Sequence, residues 1–470
     1  MRRRNAEQEP HKKVAPPPGE TVAYHAKVAR LTNTFKKCRK ECRFFRYFFH
    51  FFPMALLEGF WIKNFRMLKQ FAIGSCYLQF VYVDEDISQQ KKYELSPISV
   101  LIGRNGTGKS AVLDSFAFIH DCMQLGVEDA CVKRGGFDSL YSQGASGPLS
   151  FGYNFRLTPH SKVLTYVVNI DFGVGNRPYV ETELLAYRAD SAESFGMPIL
   201  FFQNGEKIVR HLMTNGKISD EMSRVERTDM RRLGIASLGD LRDYPVVGDV
   251  KKFFANCYFA NASTENQRAF TNPSAVPANL SVRGEGVASL LRYYLKEYPL
   301  KFQSILNRIA TKIPDVEMID VDKGRQGRLT LSVKKRKFPA PFYGHQLSEG
   351  FLKHLAYYLL LDEPTPAPFV GIEEPENGLD YRLLKSYIKD VHAATHGMGC
   401  SQFLFTTHSP SLADWMEPED VWILESSGDG FTRVQRGSDY PIIQEMIKND
   451  QPVGDSWFSD FYDQTWRESL

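Results

Sequence analysis

At 470 residues the chain exceeds one ordinary hydrophobic core, so two or three lobes are expected. With 43% hydrophobic and 24% charged residues it has a globular composition, neither disordered nor fibrous. The net charge of +3 hides an asymmetry: residues 1–53 carry thirteen Lys/Arg against four Asp/Glu, and the remainder 45 against 51, so any nucleic-acid surface on the body must be a local patch.

Residues 1–53 run from Arg2–Arg4 through Pro16–Pro18 into an Arg/Lys/Phe-rich segment ending at Pro53. They read either as a poorly ordered extension or as a basic arm for anionic lipid or nucleic acid. The nearest membrane-like stretch, 44–62, is broken by Arg46, His50, Pro53 and Glu58, so no stable membrane insertion is expected. Strands are predicted at 55–63 and 77–84, and an apolar strand at 96–103 ends in a glycine-rich turn. A helix follows over 109–124, with Val112, Leu113, Phe116 and Ile119 at helical spacing. Residues 149–212 are strand-rich, with Asn204-Gly205 as a hairpin signal, and 218–300 mix charged and helical segments. An amphipathic helix is expected over 300–313, then a hairpin from 316–321 and 328–333. From Gln346 helix and strand alternate, the rhythm of a parallel sheet covered by helices. The seven cysteines are scattered and contain no C-x-x-C pair, which points to a reducing, cytoplasmic setting without a disulfide framework.

The chemistry concentrates in few places. Gly103-Arg104-Asn105-Gly106-Thr107-Gly108-Lys109-Ser110 is a G-x-x-x-x-G-K-S phosphate loop between a strand and a helix. Its glycines let backbone N–H groups converge on phosphates, and the positive end of the helix favours the anion. Lys109 would reach the β/γ-phosphates of ATP and the Ser110 hydroxyl would bind Mg²⁺. Such a loop needs acids from another strand. Leu361-Asp362-Glu363-Pro364 and Ile372-Glu373-Glu374-Pro375 both offer them. The helical pattern from Phe351 to Leu361 puts Asp362 at a helix end before a Pro-rich turn, so the second segment is preferred. Glu373 is assigned to Mg²⁺ and Glu374 to polarising the attacking water. Leu347-Ser348-Glu349-Gly350 at a helix start and Thr407-His408-Ser409-Pro410 after a strand carry weight only through their order and spacing.

This series, with Ile62-Lys63-Asn64-Phe65-Arg66, Arg134-Gly135-Gly136-Phe137 and Ile372–Leu379, resembles ABC-type ATPases of the SMC/RecF-like kind, most closely the compact bacterial "predicted ATPase" branch labelled AAA family. The resemblance spans about 54–430. It implies an α/β fold, a P-loop NTPase with an ABC-type head of mixed sheet flanked by helices and an inserted strand/helix lobe. The expected division is a basic extension (1–53), the first part of the head (54–150), the inserted lobe (151–340), the second part of the head (341–430) and a tail (431–470). It also implies a head-to-head dimer that sandwiches two ATP molecules. Ser348 and Gly350 would contact the γ-phosphate on the partner's loop, Asn377–Asp380 would face the interface, and His408 would be the γ-phosphate switch. Glu349 departs from the glycine of many transporters, and Gln143 is a weak candidate for the glutamine that links Mg²⁺ to the lobe.

No nuclease pattern is built in, so the expected partners are DNA or a separately encoded effector such as a nuclease, in DNA repair or phage defence. Lys323, Arg325, Arg328, Lys334, Lys335, Arg336 and Lys337 form a local basic cluster that is either a DNA-backbone contact or a solvated hairpin edge. A weakly hydrolysing nucleotide-sensing module, antitoxin-like or scaffolding, and the ATPase subunit of a transporter remain as alternatives.

Overall fold

The computed structural model describes residues 55–76, 93–158, 161–173, 177–188, 197–203, 206–209, 223–224, 229–260, 291, 294–323, 329–343, 346–362, 366–395, 401–440 and 443–445. The basic extension, the strand expected at 77–84 and the Asn204-Gly205 turn fall outside these residues.

Strands β1 (Leu56–Phe65) and β2 (Leu68–Gly74) form an antiparallel hairpin about Arg66-Met67. Asn64 and Arg66 take left-handed φ values of 62° and 52° there. The Asn64 amide donates to the carbonyls of Ser146 (3.0 Å) and Pro148 (2.9 Å), which offsets its strain. Strand β3 (Ile98–Gly103) leads into helix α1 (Lys109–Leu125) and the short α2 (Val127–Val132). The strand-rich stretch is β4 (Leu149–Arg156), β5 (Leu164–Phe172), β6 (Pro178–Tyr187), β7 (Met197–Gln203), β8 (Glu206–Val209) and β9 (Ser223–Arg224). These six continue from the first hairpin as one antiparallel sheet, ordered β2-β1-β4-β5-β6-β7-β8-β9. Gln203 pairs with Glu206 on either side of the Asn204-Gly205 position.

The chain then passes α3 (Gly234–Leu238), α4 (Pro245–Asn256), β10 (Tyr258–Ala260) and α5 (Pro299–Lys312). Helix α5 buries Phe302, Ile305, Leu306 and Ile309, the stripe expected of it. Strands β11 (Val316–Lys323), β12 (Leu329–Lys335) and β13 (Phe342–Tyr343) make a small antiparallel sheet. Helix α6 (Glu349–Leu361), β14 (Phe369–Glu373), α7 (Tyr381–Thr395), β15 (Gln402–Thr407), α8 (Pro410–Ala413), β16 (Val421–Ser426) and β17 (Thr432–Arg436) follow.

The sheet that positions the site is ordered β10-β14-β15-β3-β16-β17, parallel except for β17. Its central strands are buried on both faces, which is why they read as continuous apolar runs. On one face Leu101, Phe369 and Leu404 pack with Val112 and Phe116 of α1, the Phe116 and Phe369 rings stacking at 4.8 Å. On the other, Val100, Ile372 and Phe405 pack with Leu355 of α6 and Ile388 of α7. Strand β10 comes from the stretch read from sequence as charged and helical, yet it borders the acid-bearing β14. The two large sheets are joined by the Gln402 amide, which accepts from the Leu57 N–H (2.7 Å) and donates to the Leu57 carbonyl (2.9 Å).

Candidate functional site

Gly103 closes β3, and the loop that follows turns through Gly106 (φ 82°) and Gly108 (φ 94°) into α1. A Cβ at Gly106 would meet nothing within 4 Å, so its requirement is the backbone angle and an open concave surface. A Cβ at Gly108 would lie 2.4 Å from Thr432 Oγ1, and that hydroxyl donates to the Thr107 carbonyl at 2.9 Å. Strand β17 therefore props the loop from below. Thr107 Oγ1 donates to the Arg104 carbonyl at 2.8 Å and tightens the turn. Lys109 is buried, and its ammonium donates to the carbonyls of Gly103 (2.7 Å) and Arg104 (2.8 Å). Asn105, Gly106 and Ser110 are exposed at the loop's rim, with Arg104 half-buried. The first-turn N–H groups of α1 have no intrahelical partner, which makes the loop an anion cradle.

The acids arrive from two strands away. Glu373 ends β14 in register with Thr406 of β15, and Thr407 is in register with Ile102 of β3. At ordinary sheet spacing β14 lies about 10 Å from β3. Burial lowers the Lys109 ammonium's pKa, only partly offset by the charges of Glu374, Glu376 and Glu373, which lie within electrostatic reach of it.

Glu374 is a non-glycine residue at φ 43°, held there by its N–H donating to the Thr406 carbonyl at 2.9 Å. Its carboxylate accepts from Asn377 Nδ2, and His408 Nδ1 stands 3.4 Å from its Oε1. Glu376 Oε1 accepts from Thr407 Oγ1 (2.6 Å) and from the His408 N–H (3.2 Å), with His408 Nδ1 at 3.8 Å. Two buried polar atoms here lack a hydrogen-bond partner, Glu376 Oε2 and His408 Nδ1. Lys353, buried in α6, donates to the carbonyls of Asn377 (2.6 Å) and Glu374 (3.2 Å).

Ser348 is the exposed N-cap of α6 and accepts from the Phe351 N–H at 3.3 Å. A Cβ at Gly350 would lie 2.2 Å from the Gly378 carbonyl oxygen, so the start of α6 packs on the 374–379 loop of the same chain. Lys109, Glu373, Glu374 and His408 thus share the carboxyl end of the sheet, and Ser348 and Gly350 lie beyond the acid loop. The Glu349 side chain is outside the described residues.

Asp362 caps the end of α6 and is bound by Arg308 Nη2 at 2.6 Å, away from the sheet end that carries the site. Gln143 is exposed in a loop tied to the first hairpin by Ser142, whose N–H donates to the Asn64 carbonyl (3.0 Å) and whose Oγ donates to the Arg66 carbonyl (2.7 Å). Arg134 fixes α2 to α1 through Asp114 (2.9 Å) and Asp121 (2.7 Å). Burial would raise the Asp121 pKa, but hydrogen bonds from His120, Lys133 and Arg134 hold it well below the usual carboxylate range. Of the basic cluster, Lys334, Lys335, Arg336 and Lys337 are described, the last two exposed; Arg325 and Arg328 are outside. Lys353 and Thr432 also support these loops, and nothing in their residue types separates them from ordinary polar residues.

Among the described residues no three His, Cys, Asp or Glu side chains converge into a ready metal cage. The open Gly106 surface and the cradle of helical N–H groups fit a triphosphate. Ser110 and Glu373 could share a hard cation that takes its remaining oxygens from that ligand and water.

Residues 287–414, which carry the acids, the α6 start and His408, match the family described as "AAA domain, putative AbiEii toxin, Type IV TA system". The match likens this stretch, and not the whole chain, to an AAA domain. The fold is α/β, a mostly parallel sheet between helices with the glycine-rich loop joining β3 to α1. Two similar solved structures are an SmcHead bound to the C-winged helix domain of ScpA and the SMC head domain from Thermotoga maritima. The first aligns at TM-score 0.42 and 13% identity over 81% of this chain and 97% of that one. The second aligns at TM-score 0.35 and 13% identity over 81% and 98%. No curated protein matches the sequence. No helix among the described residues is long and apolar enough to cross a membrane.

Proposed function

We propose that this chain is a Mg²⁺-dependent ATPase whose ATP-driven head-to-head dimerisation gates DNA or a separately encoded effector. The observation that carries the reading is that Lys109 and the acids Glu373, Glu374 and Glu376 follow β3 and β14 at the same carboxyl end of one parallel sheet, within electrostatic reach of each other. Lys109 now satisfies its ammonium on two loop carbonyls and would exchange them for β- and γ-phosphate oxygens. Ser110 and Glu373 would hold Mg²⁺, which neutralises charge on the phosphates when bound. Glu374, oriented by Asn377, would accept the proton of the attacking water at its carboxylate. His408 stands beside that carboxylate and would sense the γ-phosphate.

The exposed Ser348 at the N-terminus of α6 would offer its hydroxyl and the helix's free N–H groups to the γ-phosphate held by a second copy. Gly350, by its contact with Gly378, would pass that engagement to the 374–379 loop. The head would comprise 54–150 and 341–430, completed by β10 and β17. The Lys334–Lys337 run at the end of β12 is the surface we assign to a nucleic-acid backbone. The setting we propose is DNA repair or phage defence.

The test is a pair of variants. Lys109→Ala should abolish nucleotide binding. Glu374→Gln should keep ATP, stop turnover and accumulate a dimer by light scattering. A Glu374→Gln protein that releases phosphate at the wild-type rate overturns the assignment.

A further inference from the structure

The third carboxylate of the Glu373-Glu374-Pro375-Glu376 run has no part in binding phosphate, metal or water as assigned above, yet it is the best-connected of the three. Glu376 Oε1 receives two hydrogen bonds from β15's end, from Thr407 Oγ1 and from the His408 N–H. Thr407 Oγ1 in turn accepts from the Ser409 N–H at 2.9 Å, so one carboxylate oxygen organises the turn from Thr407 to Ser409. The consequence is a fixed origin for the His408 side chain, with Nδ1 3.4 Å from Glu374 Oε1 and 3.8 Å from Glu376 Oε1. The second oxygen, Oε2, is buried without a partner, although a solvated surface acid would satisfy both oxygens with water. Burying a carboxylate oxygen without a protein partner costs free energy, so the two bonds to Oε1 carry the ordering of this side chain.

We propose that Glu376 is a positioning residue for hydrolysis: it fixes the Thr407–His408 turn so that the imidazole stays in register with the Glu374 carboxylate and the phosphate loop. Glu376 acts through His408 and touches no reacting atom. The role rests on the ATPase reading, and it separates binding from turnover, because Lys109 and the glycine loop hold nucleotide without it.

Glu376→Ala removes the acceptor for both donors. Affinity for a fluorescent ATP analogue should remain within about threefold of wild type, while kcat falls by roughly thirtyfold or more with KM little changed. Glu376→Gln keeps a carbonyl oxygen for the same two donors and should recover kcat to within about fivefold. Thr407→Val, which deletes one donor from the other side, should lower kcat by about tenfold at unchanged affinity, and it carries the test should Glu376→Ala fail to fold. Wild-type kcat in Glu376→Ala or in Thr407→Val overturns the proposal, as does a parallel loss of nucleotide affinity. A wild-type protein that binds nucleotide but shows no turnover overturns the ATPase reading instead.

Discussion

Gln402 provides the sharpest test of how the two sheets are held together. Its amide completes a ladder between them, taking the Leu57 N–H at 2.7 Å and giving to the Leu57 carbonyl at 2.9 Å, all within the buried interior. Gln402→Leu keeps nearly the same volume and removes both bonds, leaving a backbone donor and a backbone acceptor dry. Each such group costs about 1–3 kcal/mol, so the loss should be about 4 kcal/mol. That is a large share of a typical total of roughly 5–15 kcal/mol. The measurement is the shift in urea midpoint at constant slope. Gln435→Leu serves as the control: its side chain makes a 3.5 Å contact to the Asp439 carbonyl at a partly exposed position, and a change within about 0.5 kcal/mol is expected. A Gln402→Leu protein less than about 1 kcal/mol weaker than wild type would refute the idea that this side chain substitutes for a missing strand.

Two further outcomes follow from groups near the site. His354, wholly buried in α6 with neither ring nitrogen hydrogen-bonded, has its pKa pushed down to about 4 by burial, against the pull of Asp390. Below about pH 6.5 the unfolded chain takes up a proton that the folded one refuses, so stability falls as pH drops from about 6.5 towards 4. His354→Leu lacks this term, and its urea stability should lose about 2–3 kcal/mol less than wild type between pH 7 and 4.5; parallel pH dependence contradicts it. Thr432→Val removes the hydroxyl that supports Thr107, and ATP affinity should drop about five- to tenfold, the worth of one ordinary hydrogen bond. Unchanged affinity in a fluorescent-nucleotide titration would mean that β17 is no prop.

The phosphate loop was legible because everything it needs is local: strand, glycines, lysine and helix lie within one short stretch. The helix end at the first acidic run was legible too, since the periodicity from Phe351 to Leu361 marks a helix, and the chain does end α6 there with Asp362 as its cap. Strand β10 was not, because three residues, Tyr258, Phe259 and Ala260, carry no period, and only pairing with β14 makes them a strand. Gln402 and Thr432 were invisible for a related reason. Their partners lie 345 and 325 positions away, and a polar residue that will be satisfied across the fold looks like one that will be solvated. Glu376 fell between the two cases: its acidity was plain, but the hydrogen bonds that distinguish it come from the far strand.

Thr432 also imposes an order of events during synthesis. The ribosome delivers the phosphate loop early, but the hydroxyl that steadies it follows 325 residues later. At about 5–20 residues per second, that interval is on the order of 15 to 65 s. Throughout it the nascent N-terminal portion carries its phosphate loop without the hydroxyl that steadies the Thr107 carbonyl, and the loop gains that support only when β17 docks.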